Sequence, residues 1–365
     1  MAGVYFHIPF CRSRCVYCDF FSSTSLREKG ACIDAICKEL QDRKDYLQGQ
    51  EIRTIYFGGG TPSLLPAKDF DRIFQTFDRC FGSQCSSSRE VTLEANPDDI
   101  TPDYLHSIRH LPFNRISLGV QSFNNRELLF LNRRHDALSA INAVKRLQDA
   151  GYPNLSIDLI YGLPEQTRSI WEENLKQALA LDVPHISAYH LTYEEGTPLF
   201  SRLERGLVKQ VDEESSLRFF EILIDTLTEN GFEHYEISNF AKPGYRSRHN
   251  SSYWNGTHYL GIGASAHSYN GSGRRWNKTQ SGFDEEILDG RTAYNDFIIT
   301  RLRTSEGIEV SELSRLFGEA RQAYCLRQAE KHILNQGLKQ SGNRLHLTRK
   351  GLFVSDGIMS DLLLA

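Results

Sequence analysis

Three cysteines, Cys11, Cys15 and Cys18, stand in the spacing C-x3-C-x2-C directly after the short apolar run Val4 to Ile8. Thiolates this close together on a turning loop can each reach a different iron of one iron–sulfur cube, and three of them leave the fourth iron open to another ligand. Zinc is the rival metal. It asks for a fourth protein ligand or a water, and no Cys or His follows Cys18 in structural-zinc spacing. A second group, Tyr56-Phe57-Gly58-Gly59-Gly60-Thr61-Pro62, closes the next apolar run. Residues without a Cβ let the backbone come close to a ligand, and N–H groups there can bind a carboxylate. A plain tight turn is the competing reading.

Polar residues also stand at the ends of further apolar runs: Glu94 in Leu-Glu-Ala-Asn-Pro97, Gln121 in Gly-Val-Gln-Ser-Phe123, and Asp158 in Ile-Asp-Leu-Ile-Tyr-Gly-Leu-Pro164. A charge or amide inside such a run is costly unless paired or bound to a ligand. Singly each could be a structural partner; together they favour one shared ligand site. Arg133, in Leu-Asn-Arg-Arg134-His135, is ambiguous, because most arginines at helix starts are solvated.

These residues need elements to position them. From Val4 to Glu229 short β-branched or aromatic runs alternate with helix-period stretches, the pattern of βα units around a parallel sheet. Six strands are legible: Val4 to Ile8, Thr54 to Phe57, Val91 to Ala95, Arg115 to Val120, Leu155 to Tyr161 and His185 to His190. The expected fold is α/β, an incomplete (β/α)6 barrel with its reactive face at the strand C-termini; an open doubly wound sheet is the alternative. Tyr235 to Asn277 shows no helical period and is rich in Gly, Ser, Asn, His and Tyr, so it reads as irregular. Beyond about Ala293 helices return, with a hairpin from Leu338 to Leu347 around Gly342-Asn343. The expected units are residues 1–234, 235–290 and a small helical, wing-like domain over 291–365.

Composition removes several function classes. The 365 residues carry 42 basic and 46 acidic side chains, a net charge of −4, so binding nucleic acid through bulk electrostatics is not expected. No apolar run approaches the ~20 residues of a membrane-spanning helix, and the N-terminus shows neither a signal nor a transit pattern. A cytoplasmic protein is expected, with the eight cysteines as thiols or metal ligands rather than disulfides. Cys32, Cys37, Cys80, Cys85 and Cys325 read as small hydrophobes, and Arg301 to Glu312 as a solvated charged face.

The cysteine loop after the first strand resembles that of the radical S-adenosylmethionine (SAM) superfamily. The resemblance implies a 4Fe–4S cluster on Cys11, Cys15 and Cys18, with SAM on the open iron through its amino and carboxylate groups. It also implies one-electron cleavage of SAM to a 5'-deoxyadenosyl radical. His7-Ile-Pro-Phe-Cys, Phe57-Gly-Gly-Gly-Thr-Pro, Gly119-Val-Gln-Ser-Phe, Asp158-Leu-Ile-Tyr-Gly-Leu-Pro and Gly196-Thr-Pro-Leu, spread over residues 1 to 270, are similar to hallmarks of the oxygen-independent coproporphyrinogen III oxidase-like family. Carried over by motif, Tyr5, Gly59 and Glu94 face a first SAM, while Tyr17, Gly60, Thr61, Gln121, Arg133 and Asp158 match contacts to a second.

Two departures point away from oxidase activity and toward the haem-chaperone branch. Phe20 stands where the oxidases carry a further cysteine, and only ten residues precede Cys11 where they carry a long segment. His249-Asn-Ser-Ser-Tyr253-Trp254 resembles the H-N-x-x-Y-W element of that branch, among His234, His258, His267, Tyr259 and Trp276. Neutral imidazole is a good axial ligand for haem iron and flanking aromatics can stack on the macrocycle, so His249 leads the candidate haem ligands. A well-packed aromatic loop over the barrel mouth, with hydrogen-bonded histidines, is the competing reading. The implied partners are haem and haem-acceptor proteins, without nucleic acid. Peripheral membrane contact and a homodimer are left open, as is oxidative decarboxylation of coproporphyrinogen III as the alternative activity.

Overall fold

The computed structural model describes residues 1–279 and 282–364. Strands β1 (Ala2–Ile8), β2 (Ile52–Gly59), β3 (Cys85–Ala95), β4 (Arg115–Gln121), β5 (Leu155–Tyr161) and β6 (His185–His190) lie side by side, all parallel, in chain order. The alternation along each strand sets two environments. On β1, Val4, Phe6 and Ile8 are fully buried beneath the helices, while Gly3, Tyr5 and His7 face the other way. The helix Ala67–Phe81 shows why the outer face closes: Phe70, Ile73, Phe74, Phe77 and Phe81 fall at helical spacing and pack on it as one stripe. Gly151 and Gly231 end two other helices with φ of 86° and 82°, the left-handed cap for which glycine is suited.

The segment expected to be irregular is mostly regular. Strand β7 (Glu233–Glu236) pairs antiparallel with β8 (Asn239–Ala241), which in turn pairs antiparallel with β6. At the opposite edge β9 (His258–Ile262) pairs with β1 as a seventh parallel strand, followed by antiparallel β10 (His267–Tyr269), β11 (Gly273–Asn277) and β12 (Phe283–Ile287). The result is one twelve-stranded sheet, curled into a partial barrel around the inward side chains of β1 to β6. Strands of three to five residues separated by Gly turns are too short to show a period in sequence.

A second core, built from Tyr294, Ile298, Leu302, Ile308, Leu313, Cys325, Leu338, Leu345, Ile358 and Leu362, holds the C-terminal helices to a three-stranded wing. The wing comprises β13 (Ile308–Glu309), β14 (Leu338–Ser341) and β15 (Arg344–Leu347), with Gly342 in the turn at φ 57°. Arg301 to Glu312 is not a solvated face. Arg301 donates to the Trp254 carbonyl at 3.0 Å, the Arg303 guanidinium lies 4.7 Å above the Trp254 ring, and Ile308 is fully buried. This stretch joins the C-terminal unit to the barrel. Among the described residues no helix is long and apolar enough to cross a membrane.

Candidate functional site

The cysteine loop leaves β1 at its C-terminal end and is tied down from several sides. The backbone N–H groups of Gly60 and Thr61 donate to the carbonyls of Ile8 and Phe10 at 2.9 and 2.7 Å, and that of Cys11 to Ser23 at 3.0 Å. Val16, buried between two of the cysteines, donates to Leu131 and accepts from Leu199; it sits in an apolar cluster with Ile160, Leu163 and Leu191, against which Tyr17 packs. Cys11, Cys15 and Cys18 are free thiols, half-buried on this one loop. Burial pushes the Cys18 thiol up to about 11. Thr61 Oγ1 donates to Cys11 Sγ at 3.6 Å and Arg133 Nη1 to Cys15 Sγ at 3.3 Å. Donors aimed at sulfur stabilise thiolate, so this set suits an iron–sulfur cluster. Among the described residues no three His, Cys, Asp or Glu side chains gather around a single metal ion.

The glycine strap works differently from the sequence expectation. Its amide donors are spent within the protein: Gly59 on Glu94 Oε2 at 3.2 Å, Gly60 and Thr61 on the cysteine loop. A Cβ on Gly60 would stand 2.7 Å from the Phe10 carbonyl oxygen and 2.8 Å from that of Ile8. The strap therefore lets β2 lie directly against the loop, rather than presenting a row of amides to a ligand.

Glu94 and Asp158 point inward near the mouth. Glu94 accepts from the Tyr56 hydroxyl at 2.7 Å, and burial raises its carboxyl to about 7, with the Tyr56 bond and the Gly59 amide pulling the other way. Asp158 accepts from Ser117 at 3.4 Å and is raised by burial to about 6. Tyr5 stacks on Tyr56 at 6.0 Å. Gln121 is buried at the end of β4 in left-handed backbone, φ 69°, beside a register shift in the ladder; strain of this kind persists where the surroundings over-determine it. Arg133 is not solvated: besides Cys15 it donates to Asn96 Oδ1 at 2.6 Å and to the Gly119 carbonyl at 2.5 Å.

His249 lies at the other end of the lumen. The helix Arg248–Trp254, capped by Ser247, sits against the N-terminal ends of β1 and β2, and the carboxylate of Glu90 accepts from the amides of Arg248 and His249. The imidazole, 1% exposed, bonds Thr54 Oγ1 at 2.8 Å and the Tyr253 hydroxyl at 2.9 Å, and burial lowers it to about 3. With both nitrogens engaged and no open face it does not fit as an axial haem ligand in this packing, and the helix that carries it closes the base of the barrel. The other histidines of the segment differ. His234 is stacked on Phe240 and bonded to the Ile237 carbonyl, and His258 is bonded to Gln50. His267 is exposed and stacked on Trp276 at 6.2 Å. The turn before it presses Gly263 against the His7 carbonyl, which puts His267 at the cysteine-loop end of the sheet.

Residues not singled out from sequence complete the site. Asn96 bridges Thr61 and Arg133, donating to the first at 3.2 Å and accepting from the second. Tyr56 orients Glu94, and Arg115 occupies the lumen floor. The signal for Arg115 was the period of two along β4, Arg115, Ser117, Gly119 and Gln121, which puts all four on the inner face.

The radical SAM superfamily model matches residues 5–178, and the model of the HemN C-terminal domain matches residues 288–354. A haem chaperone HemW from Lactococcus lactis subsp. lactis is 34% identical over 373 residues, covering 99% of this chain and 97% of that protein. Another, from Mycobacterium tuberculosis, is 33% identical over 370 residues, covering 99% and 94%. Among solved structures, the coproporphyrinogen III oxidase HemN from Escherichia coli superposes with a TM-score of 0.84 over 99% of this chain and 89% of that one, at 22% identity, which speaks to the shared fold.

Proposed function

We propose, from the premise that this chain belongs to the HemW haem-chaperone family of radical SAM proteins, that it binds haem and hands it to acceptor proteins while carrying a SAM-liganded 4Fe–4S cluster. The observation that carries this reading is the 34% identity to a haem chaperone along nearly the whole of both chains. Cys11, Cys15 and Cys18 would hold the cluster, and Tyr5, Gly59, Glu94, Gln121 and Asp158 would line the space for SAM above it. When bound, the cluster supplies one-electron reduction to SAM.

The chain's own residues supply position and charge. Arg133 and Thr61 direct N–H and O–H groups at two of the sulfurs, and Asn96 keeps both donors in place. Glu94, held by Tyr56 and Gly59, offers a carboxylate to the amino group of SAM. For haem, the exposed imidazole of His267 beside Trp276 replaces His249 as the favoured ligand. The protein would work in the cytoplasm.

The test is anaerobic reconstitution followed by haem and SAM titration on one sample, alongside a variant with all three cysteines changed to alanine. The reading expects stoichiometric haem, iron lost only in the variant, and coproporphyrinogen III left unchanged. Anaerobic conversion of coproporphyrinogen III to protoporphyrinogen IX with release of 5'-deoxyadenosine would replace it with the oxidase reading.

A further inference from the structure

We propose that Arg115 is a positioning residue, a fixed cation at the lumen floor that balances the carboxyl groups of Glu94 and Asp158 without contacting them and so leaves their oxygens free for SAM; this rests on the SAM site described above. Arg115 opens β4 and turns inward, on the same face as Ser117 and Gln121. It is 1% exposed and among the largest fully buried side chains of the protein. Its Nε and Nη1 have no hydrogen-bond partner among the described residues. A buried guanidinium that makes so little direct contact is expensive unless opposite charge stands nearby.

The lumen contains that charge at one remove. Ser117, two residues along the same face of β4, is the register partner of Glu94 and donates to Asp158 at 3.4 Å, so both carboxyls stand one inward step along the lumen from Arg115. Tyr56 on β2, His185 on β6, Tyr235 on β7 and His249 on the basal helix share its field. The two imidazoles are pushed down by burial and by Arg115, so they stay neutral. Glu90 is committed to the amides of the basal helix. The charge of Glu94 is also felt by Tyr5 and Tyr253, that of Asp158 by Tyr189, and Arg133 favours the charged form of Asp158. Burial and mutual repulsion favour the protonated form of Glu94, and burial that of Asp158; Arg115 opposes both.

A contact ion pair would occupy the carboxylate oxygens. A cation acting through space favours their ionised form and leaves lone pairs for a ligand's N–H and O–H groups, since a carboxylate can accept about four hydrogen bonds.

The experiment measures SAM affinity by calorimetry on the cluster-loaded protein from pH 6 to 9.5 for wild type, Arg115→Gln and Arg115→Lys. In wild type the affinity falls as pH drops through about 7, where Glu94 takes a proton. In Arg115→Gln the midpoint should rise on the order of one pH unit, giving about a five-fold loss at pH 7 that is largely recovered at pH 9. Arg115→Lys, which keeps the charge, should stay within about two-fold of wild type. A loss that is equal at every pH, or an unshifted midpoint in Arg115→Gln, overturns the proposal. Should Arg115→Gln fail to fold, a loss beyond that range in Arg115→Lys overturns it. Wild type that binds no SAM at any pH would instead reject the underlying site.

Discussion

The rings of Tyr56 and His249 lie 4.9 Å apart at an angle of 25°, so a residue at the sealed base of the barrel touches the one that donates to Glu94 near its mouth. His249 acts here as packing and hydrogen-bonding material. Replacing it with alanine should cost about 2 kcal/mol or more, because Thr54 and Tyr253 lose a buried partner. Calorimetric melting should show the loss, while the haem spectrum of the folded variant stays that of wild type. A shifted Soret band with unchanged melting would return His249 to the haem site.

The same histidine should leave a mark on acid stability. Its folded value of about 3 lies below the 6.5 of an exposed imidazole, so the unfolded chain binds the extra proton between those values. The contribution is therefore present above about pH 6.5 and is lost as pH falls toward 3. The stability gap between wild type and His249→Asn should narrow over that window in urea titrations. A gap that is constant with pH would mean the imidazole is charged in the folded protein.

Glu94→Gln keeps the shape but not the charge. SAM affinity at pH 8 should drop about ten-fold, the scale of a lost charge-assisted hydrogen bond, with iron content unchanged. Equal affinity in the two proteins would remove Glu94 from the site.

Gly60→Ala puts a methyl group against the Phe10 and Ile8 carbonyls. The cysteine loop must then move away from β2, so reconstituted iron per chain should fall well below wild type while the circular-dichroism spectrum persists. Full iron loading would show that the close approach is dispensable.

His267→Ala should weaken haem binding or shift the Soret band, since its exposed ring stands by Trp276 at the cysteine-loop end of the sheet. The cluster spectrum should not change. Wild-type haem spectra would exclude His267 as the ligand.

The six βα units were legible because each strand is a run of β-branched or aromatic residues followed by a helix with one apolar stripe, as in Ala67–Phe81. The cysteine loop was legible from spacing alone. The base of the barrel was not: the chain from Tyr235 to Asn277 is a string of short strands whose pairing with β1 and β6 is set by contacts far away in sequence. Motif likewise suggested His249 as a ligand, but whether an imidazole nitrogen is free depends on Thr54 and Tyr253, one of them 195 residues away. Arg115 went unnoticed because an arginine opening a strand usually reaches solvent.

The sheet ends at β12, whose middle residues Asp284, Glu285 and Glu286 form an unbroken acidic run at an open edge, with Ile287 87% exposed beside them. An open edge can recruit another chain through its unpaired amides and carbonyls. Two of these carboxylates are already tied within the sheet, Asp284 to Lys278 at 2.9 Å and Glu286 to Arg274 at 3.2 Å, which leaves Glu285 as the charge that opposes edge-to-edge pairing. Repulsion carried by so few exposed charges is readily screened, so self-association through this edge should grow as salt is added.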